Sequence, residues 1–173
     1  MKEIKTTTTY NENIMKDFLN FYYNERTKKF RVILNILIIM IIIYFFTDKS
    51  KTIMDYITYI FALFGILEVN TSMIPKLNFY RMKRRKNGIS NTKINYIFKK
   101  RNFTIIIEKE EYVDYDLLYK VIDTNNYYYL FLTKNSVLIV DKSNMKEEDI
   151  IELSNRLKNE TPTYEYKENV WKN

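Results

Sequence analysis

Apolar and polar positions along this chain follow three different rhythms. From Val32 to Phe46 the sequence reads VILNILIIMIIIYFF, fifteen residues whose only strongly polar member is Asn35. Phe30, Arg31 and Thr47 extend it to about 18 residues, near the lower limit for a helix that crosses a bilayer, with the Arg31 stem lying along the apolar surface. Strands rarely run so long and so apolar on every face. A cleaved signal peptide fits poorly, because the stretch begins thirty residues in and no small-residue cleavage site follows. We therefore expect a spanning helix.

A second apolar segment, Ile53 to Ile74, is weaker. Asp55 lies near one end, Glu68 and Asn70 near the other, and the uncharged centre runs only from Tyr56 to Leu67. A linker as short as Asp48 to Thr52 favours antiparallel neighbours, so the two segments predict a helical hairpin. Pro75 is expected to stop its second helix. Lys28, Lys29 and Arg31 precede the hairpin, and Lys76, Arg81, Lys83, Arg84, Arg85 and Lys86 follow it, whereas its loop holds Lys49 and Lys51 against Asp48. By the positive-inside rule both chain ends face the cytoplasm. Asn35 and Glu68 fall at similar depth in this hairpin and are candidates for an intramembrane polar pair. A position of Glu68 at headgroup level, neutralised by basic neighbours, is the plainer reading.

The flanking regions alternate instead. Glu3 to Tyr10 predicts a strand, and Asn11 can cap a helix whose stripe is Ile14, Phe18 and Tyr22 with Met15 and Leu19. Strands are expected at Asn95–Lys99, Phe103–Ile107, Tyr112–Tyr115, Leu117–Ile122, Tyr127–Leu132 and Val137–Val140, separated by polar turns such as Asp123–Asn126 and Thr133–Ser136. A last helix begins after Asn144, with Glu147 completing a capping box, and buries Ile150, Leu153 and Leu157. Glu147, Glu148, Glu152 and Arg156 fall largely outside that stripe, and Pro162 ends the helix. The tail from Thr163 is polar apart from Val170, Trp171 and two tyrosines.

Composition narrows the chemistry. With no Cys and no His in 173 residues, thiol nucleophiles, disulfides, histidine bases and Cys/His metal sites are excluded. The two glycines, Gly65 and Gly88, cannot build a phosphate-cradling loop. Net charge is +7, yet ten basic residues and no acid lie between Lys76 and Arg101, so this one segment carries the whole excess. Arg81, Lys83, Arg84, Arg85 and Lys86 are its candidate anionic-lipid contacts. No nucleic-acid recognition element accompanies them, because Tyr96, Phe98 and Phe103 among Lys99, Lys100 and Arg101 give only the alternation of a half-buried strand. The acids Glu108, Glu110, Glu111, Asp114 and Asp116 cluster at a turn and on a strand face, where solvated charge explains them. No catalytic, cofactor or metal residue is singled out.

Three stretches carry a family likeness: Tyr115-Asp-Leu-Leu-Tyr-Lys-Val-Ile-Asp123, Tyr127-Tyr-Tyr-Leu-Phe-Leu132 and Leu138-Ile-Val-Asp-Lys-Ser-Asn-Met145. Together with the order of elements, they resemble the YcxB-like family of bacterial membrane proteins. Tyr115 stands where that family has Trp, Asp141 where it has Pro, and Met145 where it has Phe. The resemblance implies an α+β membrane protein, with a two-helix transmembrane hairpin inserted into a small antiparallel, pleckstrin-homology-like cytoplasmic domain with a C-terminal helix. The expected divisions are 1–29 (strand and amphipathic helix), 30–75 (hairpin), 76–160 (strand-rich domain) and 161–173 (tail). The expected role is that of a non-enzymatic, multi-pass protein of the bacterial inner membrane. Its partners would be the lipid bilayer and a protein, an anionic lipid or a second copy. A toxin-immunity protein and an oligomeric transporter using Glu68 are the alternatives.

Overall fold

Tyr10 and Thr92 are paired across a sheet although eighty-one residues separate them along the chain. The computed structural model describes residues 2–47, 52–71, 73–84 and 91–168. The chain divides into two units: residues up to Tyr10 with those from Asn91 onward, and the helices between. The fold is α+β with mainly antiparallel sheets.

In the strand-rich unit, β1 (Ile4–Tyr10) pairs antiparallel with β2 (Thr92–Phe98), which pairs with β3 (Asn102–Ile106), and β3 with β4 (Glu110–Asp114). Alternation sets the register: Ile4, Thr6 and Thr8 point inward from β1, as do Ile94, Tyr96 and Phe98 from β2. A turn of 3₁₀ helix at Tyr115–Leu117 leads to the second sheet, so β5 (Lys120–Thr124) starts three residues later than the apolar run from Leu117 predicts. The second sheet continues with β6 (Tyr127–Phe131) and β7 (Val137–Asp141). Helix α4 (Glu147–Glu160) then crosses to β8 (Tyr164–Lys167), which runs parallel to β5 at the far edge. The polar tail is thus partly a strand: the Val121 amide bonds the Thr163 carbonyl at 2.8 Å. Its Val170 and Trp171 lie outside the described residues.

Tyr96, Phe98, Phe103, Tyr115, Leu130, Leu153 and Leu157 form the centre of one core shared by both sheets and α4. Rings stack along it from Tyr96 to Phe98 to Phe103 to Tyr115, at centroid spacings of 6.0, 5.5 and 5.9 Å. The edges of the two sheets are tied by side chains. The Ile139 amide donates to the Tyr10 hydroxyl (2.7 Å), the Tyr96 hydroxyl donates to the Ile139 carbonyl (3.2 Å), and the Asp141 amide donates to Thr8 Oγ1 (2.9 Å).

Two details of α4 differ from expectation. Asn144 does not cap it: the helix starts from Lys146, whose side chain makes no cap, and Asn144 Nδ2 donates to the Thr7 carbonyl (3.1 Å). Glu147, Glu148 and Asp149 in the first turn supply the favourable charge at that end. Arg156, expected outside, is 3% exposed. Its guanidinium donates to the carbonyls of Lys2 (2.6 Å), Phe98 and Lys99 (both 3.3 Å) and pairs with Glu152. One helix side chain thus reaches three backbone acceptors at the end of the first sheet, and the Tyr115 hydroxyl also donates to the Lys99 carbonyl (2.9 Å).

In the helical unit, α1 (Glu12–Thr47) is one continuous helix of 36 residues, so the division expected after residue 29 falls inside it. The Ile14 amide bonds Asn11 Oδ1 at 3.0 Å, the expected cap. Helix α2 (Ile53–Thr71) opens on Thr52, whose amide and hydroxyl both donate to Asp55 (2.6 and 2.7 Å). Asp55 is thus a cap partner rather than an interruption of the apolar segment. Residues 48–51 of the hairpin loop lie outside the described residues. Pro75 does not end the helical structure: it lies within α3 (Met73–Arg84), with helical residues on both sides of it.

Replacing Arg156 by Ala removes its hydrogen bonds to the Lys2 and Phe98 carbonyls and leaves Lys99 only the Tyr115 hydroxyl (2.9 Å), which together with the lost pair to Glu152 should cost about 3 kcal/mol of stability. The urea midpoint of the detergent-solubilised chain, followed by its tyrosine near-ultraviolet signal, checks this. Arg156→Lys should recover only part of the loss, because one ammonium lacks the reach of the planar fork.

Candidate membrane-surface interface

By length and composition, one helix among the described residues is long and apolar enough to cross a membrane: Thr27–Thr47, of whose most apolar stretch only 6% is buried. At 1.5 Å per residue, its 21 residues extend about 32 Å, against about 30 Å of hydrocarbon. Phe30, Ile33, Ile39, Met40, Ile43 and Phe46 all stand exposed, a surface far beyond the scattered apolar residues of a water-facing helix. Polar groups at its ends turn inward or along the backbone. The Arg31 guanidinium reaches back two turns to Asn24 Oδ1 (2.5 Å), and Thr47 Oγ1 donates to the Ile43 carbonyl (3.0 Å). The shorter apolar run of α2 is Ile53–Gly65. It meets α1 through Phe45, which stacks on Tyr59 at 4.4 Å and lies edge-on to Tyr56, and through buried Ile38, whose Cδ1 lies beside Gly65.

The candidate polar residues fall unevenly on this frame. Asn35 is half-buried on α1; Glu68 lies on α2, but its side chain is outside the described residues, as are those of Lys83 and Arg84 on the last turn of α3. Arg81 is exposed on α3. Arg85 and Lys86 lie wholly outside the described residues. Among the described residues, no three acids gather as a metal site. Glu108, Glu110, Glu111, Asp114 and Asp116 are all exposed.

The strand-rich unit holds a polar cluster that sequence reasoning missed. Asp123 and Lys142 are buried, 2% and 7% exposed, and form an ion pair. Lys142 Nζ also donates to the Thr124 carbonyl (2.5 Å) and lies 4.1 Å from the centre of the Tyr128 ring. Asp123 Oδ2 accepts from Ser154 Oγ (2.9 Å) and from the Tyr164 hydroxyl. The Tyr128 hydroxyl lies within hydrogen-bond distance of Ser154 Oγ (2.7 Å) and of the Ile150 carbonyl (2.9 Å), and its one proton is directed to one or the other. Strands β5, β6 and β8, helix α4 and the turn after β7 thus meet on one carboxylate and one ammonium. Both charges are enclosed and fully engaged, which gives a cross-link and leaves no open face for a substrate.

Residues 98–155 match the YcxB-like protein family. No curated protein and no solved structure matches the chain. The YcxB-like segment covers about a third of the chain, from the end of β2 into α4. All three stretches that carried the resemblance lie inside it. So do Asp123, Lys142, Tyr128 and Ser154; Arg156 follows its last residue, and the helical unit lies outside it.

Within the YcxB-like segment, burial holds the Tyr115 and Tyr128 hydroxyls well above the ordinary phenol range. The same holds for Tyr164 just beyond it, where burial is reinforced by its hydrogen bond to Asp123. These groups are therefore neutral donors at physiological pH, and Asp123 keeps its two hydroxyl partners. One signal of this cluster is legible in the sequence: Asp123 directly follows the apolar Val121 and Ile122, as a residue at a strand end does, although the sequence pattern assigns it to the polar turn Asp123–Asn126.

Asp123→Ala leaves the Lys142 ammonium buried without its counter-charge and should cost about 3–5 kcal/mol. Combining it with Lys142→Met should restore a large part of that loss, since the pair is then removed together. Chemical denaturation of the three variants checks the non-additivity; equal and additive losses would contradict the enclosed pair.

Proposed function

We propose that this chain is a non-enzymatic, multi-pass protein of the bacterial inner membrane, with a strand-rich cytoplasmic domain held at an anionic membrane surface. Its helical unit would form a two-helix transmembrane hairpin, inserted between the first two strands of a pleckstrin-homology-like domain. One observation carries this reading: β1 pairs with β2 across the helical unit, so the chain must leave and return at one place. If Thr27–Thr47 crosses the bilayer, a return crossing is then required. Helix α2, with 19 residues or about 28 Å, is the segment available for it.

Charge supports the same orientation. Lys28, Lys29 and Arg31 precede the first apolar helix, and α3 follows the second with Lys76, Arg81, Lys83 and Arg84. On the cytoplasmic side these side chains would meet anionic headgroups, at about 1 kcal/mol for each basic residue near the surface. The domain itself would receive a protein partner or present the bound lipid to one.

Hydrogen exchange on the chain in lipid nanodiscs tests the lipid part. Adding phosphatidylglycerol to phosphatidylcholine should slow amide exchange along α3. Replacing Arg81, Lys83, Arg84, Arg85 and Lys86 by Gln should abolish that difference, while exchange in β2–β7 stays as it was. Equal protection in both lipids would remove anionic-lipid binding from the proposal.

A further inference from the structure

Helices α1 and α3 border an open cavity of about 310 Å³ within the helical unit, lined by Lys16, Asn20, Pro75, Lys76, Phe79 and Tyr80. Its walls follow from helical spacing. Lys16 and Asn20 are four residues apart on α1, while Pro75 with Phe79 and Lys76 with Tyr80 form two such rows on α3. Pro75, Phe79 and Tyr80 give the cavity an apolar and aromatic lining, and Lys16, Asn20 and Lys76 are its polar residues. Two exposed lysines bordering one small cavity, neither ion-paired among the described residues, give it a positive rim that attracts an anion. The volume stands at the lower end of small-molecule sites.

We propose that this cavity binds a phosphomonoester, its phosphate between Lys16 and Lys76 and its organic part against Pro75, Phe79 and Tyr80. Lysines suit the phosphate as point charges, and the Asn20 amide adds a directional donor. The membrane placement proposed above bears only on where the phosphate comes from. Asn20 and Lys16 precede Thr27 by seven and eleven residues, or about 10 and 16 Å along the helix. The headgroup layer is about 5–7 Å deep on each side, so the cavity suits a soluble ester or a headgroup phosphate that projects beyond its neighbours.

Calorimetric titration of the full chain in neutral detergent micelles with glycerol phosphate tests the site. Saturable binding is expected, weakened about tenfold when Lys16 and Lys76 are both changed to Gln, which corresponds to about 1.4 kcal/mol. Tyr80→Ala should weaken it as well. Arg81→Gln, outside the cavity, should leave it unchanged, and circular dichroism of each variant monitors the helices. No saturable binding, or equal binding by the doubly substituted chain, would overturn the proposal. Repeating the titration in nanodiscs containing phosphatidic acid separates the sources: lost binding of the soluble ester assigns the site to a headgroup, and retained binding to a free phosphomonoester. Because the micelles contain no anionic lipid, failure here is distinct from failure of the lipid reading of α3.

Discussion

The pairing of β1 with β2 constrains everything else in this chain. Seven consecutive residue pairs, from Ile4 with Phe98 to Tyr10 with Thr92, join the segments on either side of the helical unit. Loop-closure entropy opposes such a long-range pairing, though it grows only slowly with the length enclosed. It is offset by burial of Ile4, Ile94, Tyr96 and Phe98 and by the cross-sheet bonds of Tyr10 and Thr8. A one-residue slip would turn Ile4 and Tyr96 to solvent and their lysine and asparagine neighbours into the core, so the register is strongly held. The points where the chain enters and leaves the intervening segment, Tyr10 and Thr92, are accordingly held beside one another.

Two buried charged groups then tie α4 to the sheets. Asp123 and Lys142 join the second sheet to the helix and to β8, and Arg156 joins the helix to the ends of β1 and β2. Buried ions repay their desolvation only when nearly every donor and acceptor is engaged. That condition explains why both centres recruit backbone carbonyls and hydroxyls as well as counter-charges. Apolar packing alone would let α4 slide along its Leu153–Leu157 stripe; the Arg156 fork and the Ser154 hydroxyl fix its position.

Most strands, the Asn11 cap, the apolar segments and the final helix were legible because each rests on local periodicity or a local cap. The YcxB-like resemblance was legible from three strand-and-turn stretches in the matched segment. What escaped reading depended on distant partners. Arg156 has the look of a surface residue until the carbonyls of Lys2, Phe98 and Lys99 are placed beside it. Asp123 resembles a turn acid until Lys142 is brought in from the next hairpin. Pro75 was misread because the chain on both sides of it is helical. The tail strand β8 carries two tyrosines among charges, and only its parallel seat beside β5 makes it a strand. The cavity between α1 and α3 joins residues some sixty positions apart, which no local pattern announces.

The central claim is that the helical unit leaves and returns on one side of a membrane. Protease digestion of right-side-out and inverted vesicles, with an epitope tag at each end of the chain, tests it most directly, paired with alkaline extraction. The account predicts that both tags are cut only in inverted vesicles and that the chain stays with the membrane in alkali. Tags cut from opposite sides, or a chain released by alkali, would contradict it.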